Sequence, residues 1–373
     1  MVDFDNDLIP PAKNRKTEAV KPGSDGWIDS VRINTADRGL PKRFCQRHSF
    51  FRRTAKGTVS SARKAEKIMR LIYYSLARTT NREYDHQWIQ SIRSLRLYNR
   101  RISVCFFVFN GVSEAIQREA ERWQVMLLPL GDYRDWLRRN HPHGSTLAVC
   151  PELQLHKFLV LNEADTTGLS QALYLDCDTF FFNDPEILFE SPVPAHWSAR
   201  EAPTSRLCPH GYDPSNINEE LIERIVSFEG LRWVSPFNTG VCLLNNNIWE
   251  TFGQLRATFF DAAWRLLVGR HCFGDEAAEG GDIRTAVGRT ATAYDRDRAL
   301  PYPSSNHWIL DEIALWLTLG HIRNLSQGML TRDYLIQGDE FVEAIQAGRR
   351  PVAAHYFSSN RKKFFHHVSP LGD

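Results

Sequence analysis

Apolar and polar positions begin to alternate in regular blocks at Ile68, and the blocks switch between two periods. IMRLIYYSLA is a near-continuous apolar run of strand length. HQWIQSIRSLRLYN instead places Trp88, Ile92 and Leu95, with Ile89 at the edge, on one face of a helix. RISVCFFVFNG reads as a buried strand closed by Asn-Gly, VSEAIQREAERW as a helix and VMLLPLG as a strand. DYRDWLRRNHPHGST reads as a loop, PELQLHKFLVLNEA as a helix and ALYLD as the next strand. Strands alternating with helices predict an α/β protein with a mostly parallel sheet flanked by helices. In such sheets ligands gather outside the carboxyl ends of the strands.

Ahead of this alternation the chain changes character. Residues 1 to about 40 are polar, with PPAK, KPGSDG and ADRG turns, which predicts a flexible or loosely docked arm over 1–66. From Lys42 to Arg70 basic residues dominate against Glu66 alone; this is either a solvated segment or a contact for an anionic surface or nucleic acid. Residues 67–373 read as a single large domain. With 46 basic and 44 acidic side chains the net charge is +2, so any charged partner must be met by local patches. No apolar run approaches the ~18–20 residues of a membrane span. MVDFDNDLIPPAKNRK lacks the apolar stretch of a secretory signal. The seven cysteines are scattered without a C-x-x-C pair, which suits a reducing compartment and predicts a cytoplasmic protein. Cys105 and Cys242, in strand-like runs, read as small buried hydrophobes.

Candidate chemistry concentrates at ALYLDCDTFFFNDP. D-x-D occurs four times, at Asp3/Asp5, Asp5/Asp7, Asp176/Asp178 and Asp295/Asp297, so the pattern alone selects nothing. Position does. Asp3, Asp5 and Asp7 fall in the polar arm, and Asp295 and Asp297 fall in YDRDRALP, a charged loop with no strand before it. Only Asp176 and Asp178 end a buried strand, where a two-residue spacing turns both carboxylates to one side and Cys177 to the other. Mg²⁺ and Mn²⁺ prefer oxygen ligands and often bind through one or two carboxylates plus substrate phosphates. The pair therefore suits a metal held against a diphosphate; a strand running into a polar turn is the alternative.

Other segments keep company with this one. TNREYDHQWIQSIRSLRLYN, HKFLVLNEA, LYLDCDTFFFNDPEILF, SPFNTGVCLLNNNIW, LDEIALWLTLG and AAHYFSSNRKKF follow one another from about residue 68 to 365. In that order they resemble the motifs of the glycogenin-like family of retaining glycosyltransferases, with Cys177 where alanine is usual. The resemblance implies a GT-A fold, a Rossmann-like nucleotide-diphospho-sugar transferase arrangement. Residues 67–190 would be its nucleotide-sugar-binding half, and 191–373 its acceptor-binding half and closing loop. It further implies transfer of a hexose or pentose from a nucleotide sugar, UDP-linked by preference, to a hydroxyl acceptor with retention at the anomeric carbon. Mn²⁺ or Mg²⁺ would be the cofactor.

Carried onto this chain, the resemblance implies that Thr80, Asn81 and Tyr84 form the base pocket, with Tyr84 stacking on the base. Lys157 would approach the donor sugar or diphosphate. Asp176, Asp178 and His355 would hold the metal, His355 through a neutral imidazole, or Asp176 would hold ribose hydroxyls. Asn238 would hold the donor sugar or the acceptor, with Gly240 allowing close backbone approach. Asp311 would bind sugar hydroxyls. Glu312 stands where many members have glutamine. A carboxylate there would stabilise an oxocarbenium-like centre or attack it, though a helix-start acid also accounts for it. Either Lys362 or Lys363, beside Arg361, matches the lysine that contacts the diphosphate, while SSN and KFF replace the glycine and Pro-Trp of the usual ending.

Between Asn238 and Asp311 lie the helix LRATFFDAAWRLLVG, the Gly-rich acidic loop FGDEAAEGGDIR and the segment YDRDRALPYPSSNHW. This stretch, longer than the family's, and residues 191–235 are the candidate acceptor regions. The acceptor stays open between a glycan, a lipid-linked glycan, a protein side chain and a modified nucleic acid. Two other classes fit less well. A nucleotidyltransferase would want a Gly-rich basic phosphate loop after its first strand, where this chain reads SLARTTNREYD. A nucleotide-sugar-binding protein on a decayed glycosyltransferase fold is opposed by the intact Asp176, Asp178 and His355, while the altered closing segment and Glu312 leave it open.

Overall fold

The computed structural model describes residues 69–77, 83–149, 154–190, 195–201, 217–273, 281–304, 309–338, 340–356 and 361–368, with backbone alone for 281–284 and 363. All of these lie in one compact unit, Arg47–Asp373. The expected arm, the basic run up to residue 68, and Thr80 and Asn81 lie outside the described residues.

Ten strands are described: β1 (Met69–Ala77), β2 (Ser103–Phe109), β3 (Met126–Gly131), β4 (Leu169–Leu175), β5 (Thr179–Phe181), β6 (Trp197–Glu201), β7 (Phe237–Asn245), β8 (Gln327–Met329), β9 (Leu335–Gln337) and β10 (Ala353–His355). Seven form one sheet in the order β3-β2-β1-β4-β7-β6-β8, and three form a second in the order β5-β10-β9. In the large sheet β3, β2, β1 and β4 run parallel, as do β6 and β8, while β7 is antiparallel to both its neighbours. This mostly parallel sheet with helices on both faces is the expected α/β class.

The central strands are almost wholly apolar because both of their faces are covered. Along β1, Leu71, Tyr73 and Ala77 enter one core, and Ile72, Tyr74 and Leu76 enter the other. β2 divides the same way, with Cys105, Phe107 and Phe109 on one side and Val104, Phe106 and Val108 on the other. Helices Arg256–Phe273 and Leu310–Leu319 cover the first core, and helix Glu83–Tyr98 covers the second. That last helix turns Trp88, Ile92 and Leu95 inward as its period predicts, and Trp88 stacks on Phe106 with centroids 4.8 Å apart. Each such fully buried apolar side chain contributes roughly 1.5–3 kcal/mol relative to exposure. Cys105 and Cys242 are buried in the first core as small apolar groups.

Some segments depart from the sequence reading. DYRDWLRRNHPHGST is not a loop: Asp132 caps a helix over Tyr133–Asn140, accepting from Asp135 N at 2.9 Å, and a short helix spans Gly144–Leu147. Tyr133, Trp136 and Leu137 recur at helical spacing and bury in the first core, a stripe obscured by Arg134 within it and Arg138 and Arg139 after it. The described part of PELQLHKFLVLNEA is not an α-helix. Turns carry 155–159 and a 3-10 helix spans Val160–Glu163. The segment is buried from 155 to 161, so tertiary contacts on every side, not an amphipathic period, set its path. Asp295 and Asp297 belong to a short helix, Ala293–Asp297, where Thr292 and Asp295 form a capping box. The Gly-rich loop is cut short, since a helix runs over Gly281–Thr290; residues 274–280 lie outside the described set. Among the described residues no helix is long and apolar enough to cross a membrane.

Candidate active site

β4 ends at Leu175, and the next backbone N–H, that of Asp176, donates to the Gly240 carbonyl in β7 at 2.7 Å. Asp176 therefore leaves the sheet still pinned to its neighbour. Tyr174, two residues earlier, donates its phenolic hydroxyl to Asp176 Oδ1. Cys177 turns into the second core, as alternation requires. Asp178 precedes β5, which pairs with β10 so that His355 lies opposite Thr179. The small sheet thus delivers His355 to the two aspartates. Its Nε2 lies 3.1 Å from Asp178 Oδ1 and 3.8 Å from Asp176 Oδ2. One donor atom each from Asp176, Asp178 and His355 falls within 4.8 Å of the others, the one such group found among the described residues.

Two carboxylates and an imidazole, nearly enclosed, fit a hard divalent cation such as Mn²⁺ or Mg²⁺. Burial pulls the His355 pKa down, but the charge and hydrogen bond of Asp178 and the charge of Asp176 outweigh it, and the net shift is upward. A cation in that place would take over the role of the imidazolium proton.

Lys157 adjoins this cluster and is buried, unlike most lysines. Its ammonium lies 3.1 Å from Asp176 Oδ2, 3.3 Å from Thr239 Oγ1 and 3.2 Å from Asp311 Oδ2. The contact with Asp311 is an ion pair by distance rather than an aligned hydrogen bond. Burial lowers the lysine pKa, yet Asp176, Asp311 and Glu312 more than reverse this, so the side chain stays charged.

Asp311 and Glu312 occupy the first turn of helix Leu310–Leu319, and both are buried rather than solvated. Burial raises both carboxyl pKa values; Lys157 opposes the rise at Asp311, and the charge of Asp311 adds to it at Glu312. Glu312 Oε1 accepts three hydrogen bonds, from Asn238 Nδ2 at 3.0 Å and from the Thr239 amide and hydroxyl at 3.1 Å each. The opposite end of the Asn238 amide, Oδ1, accepts from Gly240 N at 2.9 Å and meets His355 Nδ1 at 3.0 Å. Gly240 makes room for that ring, because a Cβ there would overlap it. The close approach this glycine allows is by His355.

Lys157, Asp176, Asp178, Asn238, Gly240, Asp311, Glu312 and His355 thus converge in one connected polar cluster. Tyr84 lies in helix Glu83–Tyr98, partly buried against the second core. Arg361 ion-pairs with Glu83 of the same helix at 2.9 Å, and Lys362 is exposed. The Lys363 side chain lies outside the described set. Tyr174 and Thr239 were missed by the sequence reading. Tyr174 was signalled by its two-residue spacing from Asp176, and Thr239 by its place between Asn238 and Gly240.

No family model and no curated protein matches the chain. Solved structures that it resembles include the following glycosyltransferases. Mouse xyloside xylosyltransferase 1 in its apo form is 12% identical, with 78% of this chain and 98% of that one covered at a TM-score of 0.40. The galactosyltransferase LgtC, in complex with donor and acceptor sugar analogs, is 13% identical, with 82% and 98% covered at 0.40. The bifunctional glycosyltransferase WbbM is 12% identical, with 81% and 49% covered at 0.39.

Proposed function

We propose that this protein is a metal-dependent glycosyltransferase of GT-A type. It would move a sugar from a nucleotide diphosphate sugar, UDP-linked, to a hydroxyl acceptor with retention at the anomeric carbon. The observation that carries the reading is the convergence of Asp176, Asp178 and His355 at the carboxyl end of β4, next to Lys157, Asp311 and Glu312. Asp176, Asp178 and His355 would hold Mn²⁺ or Mg²⁺, which when bound neutralises the charge that builds on a departing diphosphate.

Lys157 keeps its proton and holds Asp176 and Asp311 at fixed separation. In this reading Asp311 orients sugar hydroxyls. Glu312, held through one oxygen by Asn238 and Thr239, presents its carboxylate to the anomeric carbon, to stabilise positive charge there or bond to it. Tyr84, with Thr80 and Asn81, would form the base pocket. Lys362 or Lys363 would supply a cation to the diphosphate, and the stretches 191–235 and between Asn238 and Asp311 would meet the acceptor.

A hydrolysis panel of nucleotide sugars, with and without Mn²⁺, tests this on the wild type and on Asp178→Ala. Mn²⁺-dependent turnover that the variant loses is the expected result. Equal turnover by both proteins would remove the metal assignment, and the anomeric proton of the transfer product, followed by NMR, tests retention separately.

A further inference from the structure

The orientation of the Asn238 amide is fixed by its neighbours. A backbone N–H can only donate, and that of Gly240 points at Asn238 Oδ1 from 2.9 Å. At the other end, Nδ2 reaches Glu312 Oε1 at 3.0 Å. Oδ1 is therefore an acceptor, and His355 Nδ1, 3.0 Å away, must carry a hydrogen to meet it. The nitrogen left for a cation is Nε2, the one facing Asp176 and Asp178. The ring has little freedom to turn away, because it fills the space left by the missing side chain of Gly240.

We propose that Asn238 is a positioning residue rather than a sugar contact: Oδ1 holds His355 in the tautomer that offers Nε2 to a metal, while Nδ2 ties that ligand to Glu312. The proposal rests on the metal-site reading above and gives one of its motif residues a different task. Oδ1 meets two donors and one Nδ2 hydrogen meets Glu312, so most of the amide's hydrogen-bonding capacity is spent within the protein. Histidines that ligate metals usually donate their second ring N–H to such a partner, and losing the partner weakens metal affinity about 10–100-fold.

The test uses the full-length chain and two readouts besides turnover. Mn²⁺ affinity is measured by EPR of the free ion, and the His355 tautomer by ¹⁵N-histidine NMR with Mg²⁺ as diamagnetic probe, assigned by comparison with His355→Ala. Asn238→Ala is expected to weaken Mn²⁺ roughly 10–100-fold and to lose the Nδ1–H signature. Asn238→Asp keeps an oxygen for Gly240 N and His355 Nδ1, so it should retain the Nδ1–H signature, while its second oxygen cannot donate and gives up the tie to Glu312 Oε1. Asn238→Ser, polar but too short to reach His355, should behave like Asn238→Ala and covers the case in which the alanine variant does not fold.

Wild-type Mn²⁺ affinity and an unchanged tautomer in a folded Asn238→Ala or Asn238→Ser protein would overturn the proposal. Asp178→Ala separates the two readings. If it binds Mn²⁺ as well as the wild type, the metal site itself is wrong. If it loses Mn²⁺ while Asn238→Ala keeps it, only the role of Asn238 falls.

Discussion

The Lys157 ammonium lies 3.2 Å from Asp311 Oδ2, and the same nitrogen is 3.1 Å from Asp176. One buried cation therefore joins the strand end that carries the D-x-D pair to the helix that carries Asp311 and Glu312. Removing one partner of a buried ion pair leaves the other charge uncompensated and costs about 3–5 kcal/mol. Lys157→Met should lose stability of that order in urea unfolding at neutral pH. The deficit should narrow as pH falls, because Asp311, left without the cation that opposes its raised pKa, then takes up a proton in the folded protein. A deficit independent of pH would mean that the lysine contributes packing alone.

Glu312 leads to a second pH dependence. Burial, then the charge of Asp311, raises its pKa in the folded protein above the ordinary glutamate value of about 4.3. Across the interval between those two values the folded state binds more protons than the unfolded state, so stability falls as pH rises through it. Glu312→Gln removes that loss. In the presence of a chelator, wild type and variant should unfold alike near the ordinary glutamate pKa. The variant should be the more stable at mildly alkaline pH, by on the order of 1–3 kcal/mol. Parallel stability profiles for the two proteins would contradict the assignment.

Gly240→Ala places a methyl group against the His355 ring. Overpacking of this kind costs about 1–3 kcal/mol, and the ring can move only by leaving Asn238 or Asp178. The expected outcome is a lower Tm together with weaker Mn²⁺ binding by calorimetry. Unaltered Mn²⁺ affinity in this variant would show that the imidazole has another productive seat.

Arg361 pairs with Glu83 at 2.9 Å and so ties helix Arg361–His367 to the start of helix Glu83–Tyr98. Partly exposed pairs contribute only about 0–1 kcal/mol. Arg361→Ala should therefore leave the global Tm nearly unchanged while speeding amide exchange within Arg361–His367, and the difference should fade with added salt. Equal protection in both proteins would assign the docking of that helix to Phe364, which is buried among Phe180, Phe341 and Tyr356.

β1, β2 and β4 were legible because they are buried on both faces and announce themselves as apolar runs, whereas β6 and the three-residue β8 of the same sheet were not. The D-x-D pair was legible because one of its four matches follows such a run. The setting of Lys157 was not. Lysine belongs in solvent by default, and only partners far along the chain, Asp176 and Asp311, make its burial tolerable. The helix Tyr133–Asn140 hid because Arg134, Arg138 and Arg139 surround its apolar stripe. Three-residue strands such as β5, β9 and β10 hold too few positions to show any period, so the sheet that delivers His355 was beyond local pattern. The tie between Asn238 and His355 depends on that same sheet.

β10 meets β5 through three residue pairs, a short seam beside the long ladders of the large sheet. Under the proposed function, an ion held between Asp178 and His355 would act as a rivet across this seam. Whatever binds the closed seam and not the open one lowers the population of the open state by its own binding free energy. Amides of Thr179–Phe181 and Ala353–His355 should then slow together in hydrogen exchange when Mg²⁺ is added, while those of β1 and β2 should not change. Failure of the two stretches to respond as a pair would show that the seam closes without the ion.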